Sequence, residues 1–368
     1  MSNKSIQKDT TADESIPVKT DQAFLEKVSI LLETAKQSAK AAVDLTMVYA
    51  YFEIGRLIFE EEQKGKTRAQ YGQYVISDLS KHLSSRFGKG YSVTNLKQMR
   101  KFYLTYSQDP IGQKGSDQLT NLPAVSTGRK FPLGWSHYLK LMRIENIDER
   151  HFYETEAYQN HWGIKELTRQ FDSSLYERLA LSRDKKSVME LAKQGQIIEK
   201  PSDAVKDPYV LEFLGLKEES SYSETDLETR IIDHIQEFLM EMGKGFTFVG
   251  RQVRFSFDED HFRVDLVLYN RLLRCFVLID LKTGKLKHQD LGQMQMYVNY
   301  YDRYERCEFE NPTVGILLCA DKNDNMVELT LPKDANIYAS EYKLYLPDKK
   351  LLQAKLQEWL EEESGEAA

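Results

Sequence analysis

Residues 261–297 read HFRVDLVLYNRLLRCFVLIDLKTGKLKHQDLGQMQMY, and this stretch decides the fold of the C-terminal part of the chain. Its two apolar runs, Val264–Tyr269 and Cys275–Ile279, are rich in the β-branched and aromatic residues that favour strands. Because only a short connector separates the runs, they predict a β-hairpin. A turn at Gly284 follows, and an amphipathic helix is predicted to begin near Asp290.

Charged side chains interrupt both predicted strands. Asp265 lies inside the first apolar run, Asp280 ends the second, and Lys282 follows two residues later. Alternate strand residues share a face, so Asp280 and Lys282 point the same way and the hairpin brings Asp265 alongside them. On its own, Asp-x-Lys is more often a surface ion pair at a strand end. The acid one strand upstream favours a site for a hard divalent cation instead, since such cations prefer oxygen ligands.

A third acid is predicted on the first helix of the same domain. The apolar spacing from Leu227 to Met242 predicts one amphipathic helix, and it places Glu228 on or beside the buried face. A carboxylate in that position needs a partner. A salt bridge to Arg230 or Arg251 is one interpretation. The other is a third acid of a metal site, which the resemblance described below favours.

Three further runs have strand patterns. Phe246–Phe257 is predicted to be one strand or a bent pair of strands, and Thr313–Ala320 and Tyr342–Leu346 are each predicted to be one strand. The second is continuously apolar, which is expected of a strand that is buried on both faces.

The charged and polar residues of this domain resemble a known active site. Asp265, Asp280-x-Lys282 and Gln293-x-x-x-Tyr297 are similar to the active-site series of the PD-(D/E)xK nucleases, in particular the branch related to RecB. The resemblance implies an α/β restriction-endonuclease-like domain with a mixed central sheet. The sequence departs from the commoner pattern in one respect, because an aspartate rather than a glutamate precedes the lysine.

The resemblance also implies a Mg²⁺- or Mn²⁺-dependent hydrolase acting on phosphodiester bonds. Its catalytic residues would be Asp265, Asp280, Lys282, Glu228, Gln293 and Tyr297. The three carboxylates would bind the cation, and the lysine would orient the attacking water or stabilise the developing charge. The glutamine would position the lysine or a substrate phosphate, and the tyrosine would contact a backbone phosphate.

Longer stretches are similar to the YhcG-like bacterial proteins. They include GWSHY at 134–138, KDPYVLEFLGL at 206–216, GKGFTFVGRQ at 243–252 and NPTVGILLCADKN at 311–323. This resemblance runs from about residue 20 to 355. It implies a helical N-terminal domain ahead of the nuclease domain, and it leaves the biological substrate open.

A basic stretch in the N-terminal part predicts a helix-turn-helix outline. A helix over about 71–87 is followed by two glycines and a second helix that reaches Tyr106. Six Lys or Arg and no Asp or Glu occur from Lys81 to Tyr106. The second helix would expose residues suited to phosphate and base-edge contact. These are Asn95, Lys97, Gln98, Arg100 and Lys101. The alternative is a solvated basic helix that packs on another part of the protein.

The predicted organisation is an α+β multidomain protein, all-α in its N-terminal domain and α/β in its nuclease domain. The expected segments are a disordered stretch at 1–20, a helical domain at 21–200, a linker at 201–222, a nuclease domain at 223–350, and a C-terminal helix with an acidic tail at 351–368.

Composition limits the class of protein. The chain has 368 residues, 41% of them hydrophobic, enough for two domains, and no run long enough to span a membrane. The polar start lacks the apolar core of a secretory signal. Three cysteines without metal-ligand spacing indicate reduced thiols, so we expect a bacterial cytoplasmic protein. A net charge of −7 argues weakly against a protein coated in nucleic acid, but it allows a local basic surface.

The leading hypothesis is a metal-dependent deoxyribonuclease whose N-terminal domain binds DNA or a protein partner. Its expected context is restriction, defence, or DNA repair and recombination. A homodimer is one possible oligomeric state. The alternative is a DNA-binding or adaptor protein with an inactive nuclease fold, working beside a restriction-modification or other defence system. An RNA-directed enzyme is a third hypothesis.

Overall fold

The computed structural model describes residues 22–64, 71–107, 131–181, 185–216, 222–257, 259–332 and 334–365. The predicted disordered segment at 1–20 lies outside these residues. The chain divides into two compact units, Met1–Arg100 and Lys101–Ala368.

The first unit is helical. Helix α1 spans Gln22–Lys64 without a break, and α2 spans Tyr71–Phe87. Helix α3, Val93–Ser107, begins in this unit and continues into the second. Gly88 and Gly90 have φ angles of +79° and +126°, which end α2 and allow the chain to turn. The predicted pair of helices around a glycine turn is therefore present.

The second unit begins with further helices. They are α4 (Trp135–Leu141), α5 (Ile147–Gln159), α6 (Ile164–Asp172), α7 (Leu175–Leu181), α8 (Lys185–Gln194) and α9 (Pro201–Ala204). Aromatic side chains pack this region: the Phe131 and Tyr138 rings lie 5.4 Å apart, and the rings of Phe152 in α5 and Tyr176 in α7 also lie 5.4 Å apart.

The second unit also contains a mixed six-stranded sheet. Its strands are β1 (Tyr209–Val210), β2 (Phe246–Phe257), β3 (Asp260–Asn270), β4 (Cys275–Lys285), β5 (Val314–Asp321) and β6 (Ile337–Lys343). The order is β1-β6-β5-β4-β3-β2. Strands β1, β6, β5 and β4 run parallel, whereas β3 is antiparallel to both β4 and β2. The predicted mixed sheet and the predicted hairpin are thus confirmed.

Helices cover both faces of the sheet. On one face, α10 (Glu224–Asp233) and α11 (Ile235–Met242) pack Leu227 and Phe238 against strand residues such as Leu266 and Ile279. On the other face lies α12 (His288–Tyr300), whose Met294 and Tyr297 join a second apolar cluster. Helices α13 (Asp324–Thr330) and α14 (Lys349–Gly365) complete the unit.

The first helix of the sheet domain and the expected linker both differ from the sequence-based expectation. The single helix predicted from Leu227 to Met242 is two helices, because His234 leaves the helical conformation with φ −118° and ψ 37°. The segment 201–222, predicted to be a linker, contributes strand β1, which pairs in parallel with β6. Its Tyr209 and Val210 are fully buried, so this segment is part of the sheet domain.

A buried ion pair joins the preceding helices to the sheet domain. Arg178 of α7 donates to Glu241 of α11 at 2.7 Å, and both side chains are inaccessible to solvent. The boundary that we expected near residue 200 therefore lies inside one compact unit, since this pair holds its two sides together.

Each helix in the described part of the chain is too short or too polar to cross a membrane. All three cysteines are free, with Cys275 and Cys319 buried and Cys307 exposed.

Candidate active site

The candidate site lies where strands β3 and β4 stop pairing. The ladder between them runs as far as Leu266 opposite Ile279, so Asp265 and Asp280 are the next residues beyond it. The backbone N–H of Leu281 donates to Asp265 Oδ2 at 2.8 Å and fixes that carboxylate beside β4. The predicted convergence of these two acids is therefore present.

Asp280 is a buried carboxylate that lies beside the Lys282 ammonium. Only 3% of the residue is exposed, and Lys282 Nζ lies 2.8 Å from its Oδ2. The distance is that of a close ion pair. Burial and the nearby Asp265 carboxylate raise the pKa of Asp280 to about 7, against the opposing effect of Lys282.

Lys282 stays protonated in this environment. Its Nζ also lies 3.7 Å from Glu224 Oε2 at the start of α10. Burial alone would lower the pKa of Lys282, but Asp280, Glu224 and Asp265 outweigh it and raise the pKa above its usual value. The site therefore contains a fixed cation beside a buried carboxylate.

The third predicted acid, Glu228, is joined to Asp265 through a glutamine. The side-chain nitrogen of Gln252 donates to Glu228 Oε2 at 2.7 Å and to Asp265 Oδ1 at 3.0 Å. Glu228 is 6% exposed, and its burial raises its pKa despite the hydrogen bond. Neither Arg230 nor Arg251 forms the salt bridge that we considered, although the charge of Arg251 favours the ionised carboxylate.

Gln252 is a site residue that the sequence analysis missed. It lies between the paired positions of Arg251 and Val253 on β2, which places it across from Asp265. Its φ of +48° is a left-handed conformation that costs a non-glycine residue about 1–3 kcal/mol. The sequence offered two weak signals, a polar amide between Arg251 and Val253 and the position of this residue at the end of the family-like stretch GKGFTFVGRQ.

Gln293 and Tyr297 contact each other but not Lys282. Gln293 Nε2 donates to the Tyr297 hydroxyl at 2.5 Å. The Tyr297 ring is 1% exposed and lies 5.5 Å from the Phe255 ring. Burial, and next the Asp280 carboxylate, raise the pKa of Tyr297 to about 12. Tyr297 thus lies near the carboxylates. Its ring is buried, whereas the prediction placed it in contact with a substrate phosphate.

The donor set fits a hard divalent cation. Carboxylate oxygens of Asp265 and Asp280 and the carbonyl of Leu281 are the ligand types that magnesium prefers, and magnesium keeps several waters, so few protein ligands suffice. The three acids do not form the predicted cluster. In the described ranges, no group of three or more Asp, Glu, His or Cys side chains is placed to hold a metal ion. The amide of Gln252 lies between Glu228 and Asp265 instead.

The five basic-helix residues differ in accessibility. Lys97 and Lys101 are exposed, whereas the other three are half-buried. Arg100 forms an ion pair with Glu62 of α1, and Asn95 Nδ2 donates to the Gly90 carbonyl at 2.9 Å. Full exposure of all five residues was therefore wrong, because local contacts engage Arg100 and Asn95.

Comparisons with known proteins agree with this architecture. A family model described as YhcG PDDEXK nuclease domain matches residues 202–357, and one described as DUF1016 N-terminal domain matches 27–178. A protein of Escherichia coli (strain K12) named Putative nuclease YhcG is 40% identical over 342 residues, which are 89% of this chain and 91% of that protein.

Two solved structures also match part of the chain. A repair endonuclease from Pyrococcus abyssi is 19% identical with a TM-score of 0.25, over 36% of this chain and 50% of that chain. The EndoMS–dsDNA2 complex is 16% identical with a TM-score of 0.26, over 36% of this chain and 49% of that chain. The match thus spans about half the length of each solved chain.

Proposed function

This chain belongs to the YhcG family, with its DUF1016 N-terminal domain and its PDDEXK nuclease domain, and on that premise we propose that it is a Mg²⁺- or Mn²⁺-dependent deoxyribonuclease. One observation carries the proposal: two carboxylates lie on adjacent strands just beyond the last residue pair of their ladder, and the Lys282 ammonium is 2.8 Å from one of them. Unlike an exposed surface pair, Lys282 and Asp280 have side chains that are only 17% and 5% exposed, which strengthens the electrostatic attraction between them.

The residues divide the work of phosphodiester hydrolysis. Asp265 and Asp280, with the Leu281 carbonyl, would hold the cation, which when bound supplies Lewis-acid stabilisation and acidifies its water. Lys282 orients the attacking water and stabilises the charge that develops on the phosphate oxygens. Gln252 holds Glu228 and Asp265 close together, and Tyr297 fixes Gln293 at the rim of the site.

A cleavage panel tests the proposal. The full chain is incubated with linear duplex, branched, single-stranded and methylated DNA, and with RNA, in Mg²⁺, Mn²⁺ or EDTA. We expect cleavage of at least one DNA with either cation and none in EDTA, because the carboxylates need the cation. Binding without any cleavage would favour the adaptor with an inactive nuclease fold, and cleavage of RNA alone would favour the RNA-directed enzyme.

We further propose that the exposed lysines of α3, Lys97 and Lys101, contact phosphates of the substrate. Lys97→Ala with Lys101→Ala should weaken DNA binding in EDTA, and it should reduce the salt-dependence slope by about one to two. The matched control removes two exposed lysines of α14, Lys350 and Lys355, and should change neither quantity. An equal loss of affinity in both variants would show that the loss follows from net charge and not from a contact made by α3.

Other features stay predictions. They are a cytoplasmic location, a role in restriction, defence or DNA repair, and association with a defence-system protein or with a second copy of the chain.

A further inference from the structure

The hairpin of β2 and β3 continues past the candidate site. Beyond Gln252 and Asp265, Arg254 pairs with Arg263, and Ser256 pairs with His261. We call the four residues Arg254, Ser256, His261 and Arg263 the basic ribbon.

Side-chain contacts show which face the basic ribbon occupies. Gln252 bonds to Asp265 at 3.0 Å, and Ser256 Oγ lies 2.8 Å from His261 Nδ1. Arg254 and Arg263 are two residues from Ser256 and His261, respectively, and they alternate with the buried Phe255 and Val264, so they share the face of the Ser256–His261 contact. Along β3, Asp265 is the second residue after Arg263. The opposite face carries Phe255 and Val264, which are buried in the cluster with α12. The basic ribbon therefore extends the surface of the candidate site.

The arginine pair is electrostatically unfavourable by itself. Arg254 and Arg263 are directly opposite each other, and both are exposed. Like charges in directly opposed positions destabilise a sheet. Neither guanidinium forms an ion pair or a side-chain hydrogen bond with any residue that the structure describes, including Glu259 and Asp260 at the hairpin tip. An anion that lies between the two guanidiniums would remove this repulsion.

The spacing indicates which anion fits. Arg263 is two residues from Asp265 along β3, which is about 7 Å in an extended strand. That length is of the order of the separation between neighbouring phosphates of a nucleic-acid strand. Arginine also binds phosphate through two parallel hydrogen bonds.

We propose that Arg254 and Arg263 clamp the phosphate next to the one that enters the candidate active site. The inference rests on the proposed function and names a contact surface for its substrate. The clamp reads the phosphodiester backbone, a chemistry that DNA and RNA share. It requires no base contact, so its contribution is the same for every sequence.

The test compares two double variants of the full chain. Arg254→Ala with Arg263→Ala removes the clamp, and Arg271→Ala with Arg274→Ala removes two exposed charges from the other end of β3. Binding to labelled duplex DNA, single-stranded DNA and RNA of one sequence is measured in EDTA over a series of salt concentrations. Thermal unfolding checks that each variant folds.

We expect the clamp variant to bind at least one of the three nucleic acids about tenfold or more weakly, with a salt slope lower by about one to two. The control variant should keep the parent affinity and slope. The arm with the largest loss identifies the nucleic acid. If the alanine pair does not fold, Arg254→Lys with Arg263→Lys replaces it, and it should keep most of the slope but lose affinity through the missing two-bond contacts.

Unchanged affinity and slope in the clamp variant would overturn the proposal, and so would an equal loss in the control. Because binding is measured in EDTA, these outcomes do not depend on hydrolysis. Failure of the proposed function would appear separately, as an absence of cation-dependent cleavage by the parent chain.

Discussion

Lys282→Ala is expected to lower the rate of cation-dependent DNA cleavage by about 100-fold or more, which corresponds to the loss of one preorganised charge in an active site. The ammonium is 17% exposed and 2.8 Å from Asp280, so solvent cannot replace it. The measurement is single-turnover cleavage at saturating cation, together with binding in EDTA. Binding should stay close to that of the parent, and thermal unfolding checks that the variant is folded at the assay temperature.

Lys285→Ala is the matched control for this prediction. Lys285 lies three residues further along β4 and is exposed, so its removal changes the net charge by the same amount outside the carboxylate pair. We expect parent-like cleavage from it. If Lys282→Ala cleaved as fast as the parent, the catalytic role of Lys282 would be wrong, and the proposal of an active nuclease would lose its main support.

The central part of the site could be predicted because its information is local. Asp265, Asp280 and Lys282 lie on two adjacent strands joined by a short connector, so alternation and pairing were enough to bring them together. In the structure, the Leu281 N–H donates to Asp265 and the Lys282 ammonium lies beside Asp280.

The remaining site residues depend on tertiary packing. Gln252 bonds to Glu228 and Asp265 from a left-handed backbone conformation, and the residue types around it do not predict that conformation. Tyr297 has the helical spacing of a site residue, but its ring is buried because β2 places Phe255 against it. Spacing along a helix shows which side chains share a face, and packing decides whether solvent reaches them.

The fold shows the same difference between elements that local patterns predict and elements that depend on tertiary pairing. The long apolar run at Thr313–Ala320 predicted a strand buried on both faces, and β5 occupies Val314–Asp321. The two-residue strand β1 carries too little pattern to be recognised, and it forms only because β6 offers a parallel edge. The last strand was predicted at Tyr342–Leu346 but spans Ile337–Lys343, since pairing with β5 selects the earlier register.

The largest effect on stability is expected at the ion pair between Arg178 and Glu241. Arg178→Ala should lower the free energy of unfolding by about 3–5 kcal/mol, because it leaves a fully buried carboxylate without its main partner. The backbone N–H of Val210 would still donate to Glu241, and Arg169 lies 3.4 Å away. These weaker contacts cannot replace the 2.7 Å hydrogen bond.

The same pair should make stability depend on pH. Burial alone would raise the pKa of Glu241, but Arg178, Lys206 and Arg169 outweigh it and lower the pKa to about 2. A carboxyl whose pKa is lower in the folded protein stabilises the fold above its unfolded pKa, about 4.3 for glutamate. The parent should therefore lose this contribution as pH falls from about 4 towards 2, and Arg178→Ala should show a smaller loss over that range.

Arg178→Met with Glu241→Leu is the matched control, measured by denaturant unfolding beside the single variant. Replacing both charges with apolar side chains of similar size removes the penalty of an unpaired buried charge, so the double variant should be more stable than Arg178→Ala. Its unfolding should also lack the acid-dependent step of Glu241. If Arg178→Ala unfolded with the parent's free energy at neutral pH, the ion pair would not be what holds the helices at 164–181 to the sheet.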